Sequence, residues 1–331
     1  MTRPFFSIIT TTRNRGKYLA RIYESLNLQG FKSFEWIVAD DGSEDDTLNI
    51  LLGLQRVSTF NLVIIRNPFH AGKVIMDNAA IERSKGEFVL WNDSDDLLET
   101  DALQKIYTIY CGIDGSEKLS YASITTLCKF SNWHVDEEEV PPDEKDTTWN
   151  DLRFVLKIQQ DMLYCIRGDL IRQLRFPELD LVIPEGVLWH CYLGGYKTRF
   201  SPERLKMVSY CVDGESISFS KELKYCRGKR LAVLHLEKFF QGHGDRLREK
   251  TRRFTTFLRY TIHAEVGLAL SIAEWPKGNL IVFYSLLPFA LTAAVILSLF
   301  DIFNRRVIKT HRQFLKYKDL RSFLILEKPA S

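Results

Sequence analysis

Apolar residues in the first hundred positions come in short runs, separated by stretches in which they return every three or four residues. The run at 6–10 predicts a buried strand. A polar turn at 11–15 follows it, then a helix whose Leu19, Ile22 and Leu26 share one face. The next run, at 34–39, closes on Asp40, Asp41, Gly42 and Ser43. Ser43 or Asp45 stands where it can cap a helix carrying Leu48, Leu51 and Leu52. A third strand is predicted at 62–65, a third helix at 73–84, and a fourth strand at 87–91 that stops at Asp93, Ser94, Asp95 and Asp96. Strands alternating with helices in this way predict βαβ units and a mostly parallel sheet. Ligands in such sheets bind beyond the C-terminal ends of the strands. The turns at 11–15, 40–43 and 92–96 all fall at that edge and should line one crevice.

The pattern then loosens. A strand is expected at 121–130. The acidic stretch 136–151, with Pro141 and Pro142 inside it, predicts a solvent-facing loop or a strand connection over the site. Short helices and strands mix after 160, among them 168–174 and 187–193. The stretch 254–273 reads as helix. The 21 residues of 280–300 carry no charge, and as a helix they would reach about 30 Å, the thickness of a bilayer core. Basic residues stand on both sides, at 246–253 and Lys277 before it and from Arg305 to Arg321 after it. Positive charge on both flanks disfavours a single crossing. A monotopic or re-entrant arrangement, bent near Pro288, would set both flanks against anionic headgroups. A crossing helix and an apolar core helix are the other two readings.

Composition changes this picture little. Of 331 residues, 45% are hydrophobic and 26% charged, enough to bury a substantial core, and a net charge of +3 gives no case for a nucleic-acid partner. Six cysteines at 111, 128, 165, 191, 211 and 226 form no CxxC pair, which predicts reduced thiols rather than a disulfide framework. The apolar stretch at 5–9 is too short for a signal peptide, so the N-terminal domain is expected in the cytosol.

The acidic cluster carries the first chemistry. Asp93 and Asp95, two apart with Ser94 between them, could both reach one divalent cation if the backbone bends. Asp96 could bind through water or hold the loop by accepting backbone hydrogen bonds. A diphosphate would be repelled by bare carboxylates. Mg²⁺ or Mn²⁺ between the two removes the repulsion, because both sides offer hard oxygen ligands. The plain alternative is a surface turn capped by aspartates. Its position directly after a buried strand favours the cation, since clustered carboxylates there need a compensating charge.

Read in order, Ser7, Ile8 and Ile9 leading to Thr12, Arg13, Asn14 and Arg15, then Asp40, Asp41, Gly42, Ser43 with Asp46 and Thr47, then Gly72, Lys73 and Asn78, then Lys85, Gly86 and Glu87 leading into Asp93, Ser94, Asp95 and Asp96, resemble the inverting family 2 glycosyltransferases of GT-A fold, of the bacterial cell-surface polysaccharide type. A looser likeness continues through Phe176, Pro177 and Glu178, then 183–186 and Tyr210, to Ser218. The resemblance implies an α/β GT-A fold, to which the apolar and basic pattern after 220 adds a helical, membrane-associated C-terminal region. Residues 1–220 would be the catalytic domain, nucleotide-binding over about 1–100 and acceptor-binding over about 101–220. Residues 221–331 would be the basic and apolar helical part.

The resemblance also assigns roles. Asp40 and Asp41 would contact the base and ribose, and Thr12 and Arg13 would line that pocket, although the family more often has an aromatic residue where Arg13 stands. Asp93 and Asp95 would hold the metal, Mn²⁺ or Mg²⁺, with Asp93 and Ser94 beside the diphosphate of a nucleotide-sugar co-substrate. Lys73 would touch the diphosphate or sugar, or else be a first-turn surface lysine. Glu185 is the nearest match to the family's acceptor-activating carboxylate, though Gly186 follows it where the family has a second acid. A carboxylate there could take the acceptor's proton or simply cap a helix at 187–193. Asp161 and His190 are the other base candidates, or could orient Glu185 or bind the acceptor.

The function expected is metal-dependent transfer, with inversion, from a UDP-sugar to a saccharide or polyprenyl-linked acceptor, such as one on an undecaprenyl carrier. It would take place at the cytoplasmic face of the bacterial inner membrane, with lipid engaged by the C-terminal region. A degenerate domain serving as a membrane scaffold and a nucleotidyltransferase are the competing readings. The latter would need a glycine-rich phosphate loop after the first strand, which 10–15 lacks.

Overall fold

Alternation along the strands decides the layers. A computed structural model describes residues 3–131, 140–158, 160–186, 193, 195–209, 225–240, 247–276, 280–303 and 324–327. Strand β1 (Phe6–Thr12) leads to helix α1 (Gly16–Asn27), β2 (Phe34–Asp41), α2 (Thr47–Val57), β3 (Asn61–Asn67), α3 (Lys73–Arg83) and β4 (Phe88–Trp91). Phe6, Ile8, Trp36, Val38, Leu62, Ile64, Phe88 and Leu90 form one buried layer with Leu19, Ile22 and Leu26 of α1 and Leu51 of α2. The intervening Ile9, Ile37, Val63 and Ile65 point the opposite way and are equally buried. On that side α3 packs across β1, β2 and β3.

The chain continues through β5 (Leu97–Leu98), α4 (Ala102–Cys111), β6 (Tyr121–Phe130), β7 (Lys145–Thr148), β8 (Met162–Arg167), α5 (Gly168–Ile171) and β9 (Lys197–Val208). With β10 (Leu324–Leu326), the strands form one ten-stranded sheet ordered β10-β3-β2-β1-β4-β8-β6-β9-β5, and β7 pairs with β9. The sheet is mixed rather than mostly parallel. β3, β2, β1 and β4 run parallel, as the βα repeats predict. Beyond β4 the helical crossovers stop, so β8 inserts antiparallel between β4 and β6. β9 then pairs parallel with β6 through a run of register shifts near Pro202, a position where a residue without an N–H is tolerated.

The antiparallel β8 has a functional consequence. Leu90 pairs with Cys165, and Leu127 with Met162. The start of β8 and the ends of β6 and β9 therefore lie at the edge where β1, β2 and β4 end.

The chain forms two compact units. The sheet unit comprises 1–176, 192–216 and 320–331, and the second comprises 177–191 and 217–319. In the second unit α6 (Cys226–Phe240), α7 (Leu247–His263), α8 (Leu268–Glu274) and α9 (Leu280–Phe303) share a core of Leu234, Phe254, Phe257, Leu258, Trp275, Ala290 and Ala294. Asp301 of α9 is fully buried and receives hydrogen bonds from Arg259 and from His263, the latter at 3.1 Å. Among the described residues no helix is long and apolar enough to cross a membrane.

Candidate functional site

The acidic loop is built by the residues around it. Asn92, fully buried, follows β4, and its backbone carbonyl accepts the Thr10 hydroxyl, which in turn accepts the indole N–H of Trp36. The Asn92 amide donates to the carbonyl of Asp96, and the Asp96 N–H donates back to the carbonyl of Asp93, so the chain turns tightly here. Of the two readings for Asp96, the structure supports the loop-fastening one. Its side chain is buried, lies 2.9 Å from the buried ammonium of Lys206 on β9, and accepts the N–H of Ser209. Burial, with Asp93 and Asp95 adding repulsion, pushes the Asp96 carboxyl up to about 6 against the pull of Lys206. Burial works to lower Lys206, but Asp96 and other negative groups hold it well above its ordinary value, so it stays charged.

Asp93 and Asp95 face a different set of cations. Arg15 Nη1 sits 2.7 Å from Asp95 Oδ2, with side chains only 13% and 18% exposed. Lys73 bridges Asp77 Oδ2 at 2.9 Å and Asp93 Oδ1 at 3.8 Å. Asp93 is partly exposed, and although desolvation by its surroundings works to raise it, the charges of Lys73, Lys206 and Arg15 outweigh this and hold the carboxyl below the usual carboxylate range. It is therefore ionised at neutral pH. Ser94 is buried between the two. Among the described residues no group of three His, Cys, Asp or Glu side chains could hold a metal ion by itself. What the loop offers is two carboxylates, both hard oxygen donors.

The end of β2 supplies the second half of the site. Thr12 and Asp40 are direct partners in the β1–β2 register. Both are buried, and Thr12 Oγ1 and Asp40 Oδ2 have no hydrogen-bond partner. Asp40 Oδ1 accepts the N–H of Ser43, and Arg66 Nε lies 3.8 Å from Oδ2. Burial pushes the Asp40 carboxyl above its ordinary value, with Ser43 and Arg66 pulling it back. Asp41 serves the neighbouring loop instead: it accepts from the N–H groups of Ala71 and Gly72 and from His70 Nδ1 at 2.7 Å.

The turn after β1 sorts its arginines by direction. Asn14 adopts φ +52° and locks onto Ser43 and Glu44. Arg13 pairs loosely with exposed Glu44 at 3.7 Å, whereas Arg15 turns inward to Asp95. Asp161 is exposed just before β8, at the same sheet edge. Glu185, half-buried, belongs to the second unit. His190, the predicted helix at 187–193 and the positions Tyr210 and Ser218 lie outside the described residues, Leu193 excepted. Sequence reasoning missed Asp77, Arg66, Lys206 and the Arg15–Asp95 pair. Only the i, i+4 spacing of Lys73 and Asp77 was a legible signal.

Residues 7–113 match the family model Glycosyl transferase family 2. The chain is 33% identical over 103 residues to the GalNAc(5)-diNAcBac-PP-undecaprenol beta-1,3-glucosyltransferase of Campylobacter jejuni, covering 31% of this chain and 33% of that protein. It is 35% identical over 102 residues to the poly(ribitol-phosphate) beta-N-acetylglucosaminyltransferase TarS of Staphylococcus aureus, covering 30% of this chain and 18% of that one. The chain thus spans a third or less of the length of these relatives. The solved structure of TarS 1-349 in complex with UDP-GlcNAc superposes with a TM-score of 0.58 at 20% identity, over 88% of this chain and 90% of that one. The fold is therefore α/β and GT-A-like.

Proposed function

We propose that this protein is a metal-dependent inverting glycosyltransferase that moves a sugar from a UDP-sugar to a saccharide or polyprenyl-linked acceptor in surface polysaccharide synthesis. One observation carries the reading. Two buried polar atoms without hydrogen-bond partners, Thr12 Oγ1 and Asp40 Oδ2, lie at the ends of β1 and β2, and two carboxylates with hard oxygens, Asp93 and Asp95, follow β4, so that all stand at one edge of the parallel strands. Buried polar groups left unmatched in a fold point to a ligand that completes them.

The uracil imide offers an N–H donor to the Asp40 acceptor, with Thr12 beside it. Asp41 holds His70, Ala71 and Gly72 in place, so that α3 starts where Lys73 can reach both Asp77 and Asp93. The oxygens of Asp93 and Asp95 fit Mg²⁺ or Mn²⁺, and with only two carboxylates the diphosphate itself would complete the ligand set. When bound, the ion would neutralise charge on the leaving diphosphate. For removal of the acceptor's proton, Asp161 is favoured by its position at this edge and Glu185 by the family resemblance.

A lipid-linked acceptor is supported by the undecaprenol-linked substrate that the name of the Campylobacter relative carries. Attachment to the cytoplasmic face of the membrane through the C-terminal region is supported by the outer face of α9, where Phe289 is 73% and Ile296 61% exposed.

The test is a thermal-shift panel of nucleotide sugars with Mn²⁺ or Mg²⁺, followed by donor turnover. UDP-sugars should raise the melting temperature, and Asp95→Asn should abolish the metal-dependent part of the shift and turnover. Wild-type protein that no nucleotide sugar or nucleoside diphosphate stabilises would overturn the reading. Replacing Asp161 or Glu185 by its amide should cut kcat with little change in donor affinity for whichever residue is the base.

A further inference from the structure

Each carboxylate of the acidic loop already has a cation beside it, with Lys73 shared between Asp93 and Asp77. Lys206 faces Asp96, Lys73 faces Asp93 and Arg15 faces Asp95. A divalent ion entering this arrangement would add two charges to carboxylates that already have partners. Binding there is favourable only if a resident cation leaves and incoming negative charge takes it up. The geometry singles out which one. Lys206 is buried and attached to Asp96, which fastens the loop. Lys73 stands off from Asp93 at 3.8 Å and is anchored on Asp77 at 2.9 Å, so it blocks neither oxygen closely. Arg15 is in direct contact with Asp95 Oδ2 at 2.7 Å. It stands at the N-cap position, just before α1 begins, and its planar fork suits two phosphate oxygens at once.

Resting on the metal-dependent reading above, we propose that Arg15 is the resident counter-ion of Asp95. It yields that carboxylate to the donor's divalent cation and moves to the diphosphate, so that cation and nucleotide bind cooperatively through one guanidinium. The cation alone must displace Arg15 with nothing to receive it. The cation with UDP gives Arg15 a new partner.

The experiment is Mn²⁺ binding, followed by electron paramagnetic resonance, to the full chain with and without UDP. Wild-type protein should bind Mn²⁺ weakly alone and roughly tenfold or more tightly with UDP, a size usual for coupled sites. Arg15→Met should bind Mn²⁺ alone about tenfold more tightly, and UDP should then add much less. Arg15→Lys, which keeps the charge but not the fork, should fall between the two and serves if the methionine variant fails to fold. Equal Mn²⁺ affinity in wild type and both variants, with wild type binding the ion, would overturn the role of Arg15 alone. No Mn²⁺ binding to wild type even with UDP would overturn both this role and the metal-dependent reading.

Discussion

At the scale of single residues, the proposed nucleotide site is tested most directly at Asp40. Its Oδ1 is committed to the N–H of Ser43, which requires an acceptor there. Its Oδ2 is the buried atom left without a hydrogen bond. In Asp40→Asn the amide oxygen would be held by Ser43, and the NH2 group would take the place of Oδ2. A donor would then face the imide donor of uracil. Loss of one buried, charge-assisted hydrogen bond of this kind costs about 1.5–3 kcal/mol, or roughly 10–100-fold in Kd for UDP by calorimetry. The same variant should not melt earlier. Burial raises the carboxyl of Asp40, so the ionised form opposes folding above its ordinary range and a neutral amide removes that penalty. Weakened UDP binding with an unchanged or higher Tm separates a ligand group from a structural one. Unchanged UDP affinity would remove Asp40 from the nucleotide site.

At the scale of elements, the turn after β2 is where backbone geometry sets the site. Gly42 adopts φ +66°, and a Cβ added there would lie 2.6 Å from the carbonyl carbon of Phe69 and 2.8 Å from the N of His70. Both neighbours are backbone, so neither can swing away. Gly42→Ala should cost about 1–3 kcal/mol in urea unfolding. It should also weaken donor binding more than a surface Gly53→Ala control, since a displaced 69–72 segment loses the hydrogen bonds to Asp41 that set the start of α3.

How much of this was legible varies along the chain. The first four strands and three helices follow from apolar runs and helical spacing, because each strand there is buried on both faces. Strand β2 nonetheless runs on to Asp41, so Asp40 and Asp41 belong to a buried strand end rather than an exposed turn, which their charge disguises. Strand β9 reads as a solvated segment, with two arginines, two lysines, a glutamate and Pro202 among its twelve residues. Its pairing with β5, β6 and β7 buries Lys206 all the same. Only long-range pairing makes that lysine a site residue, and no local pattern announces it. The Arg15–Asp95 pair was hidden for the same reason, since its partners are 80 positions apart.

At the scale of the whole molecule, the question is where the helical unit works. The inner face of α9 is small or polar, with Ala290, Ala294, Ser298 and Asp301 buried at helical spacing. Its outer face exposes Phe289, Ile296, Leu299, Phe300 and Ile302, more apolar surface than single scattered side chains account for. The basic residues Arg252 and Lys250 belong to α7 of the same unit, and the stretch 305–321, rich in Lys and Arg, follows α9 directly. Such a face would insert shallowly among lipids while neighbouring cations meet anionic headgroups, each worth about 1 kcal/mol near the surface. The 331-residue chain should therefore co-sediment with vesicles containing phosphatidylglycerol, more weakly with purely zwitterionic ones, and less as salt rises. Replacing Phe289 and Ile296 together by Glu should lower vesicle binding by at least tenfold. Because both side chains are exposed, the melting temperature and the UDP-induced shift should stay as they are. Vesicle binding that survives this double substitution would mean that α9 is not the lipid-facing element. Loss of binding together with loss of folding would show that the face is covered by protein, and would argue for a core role for this helix.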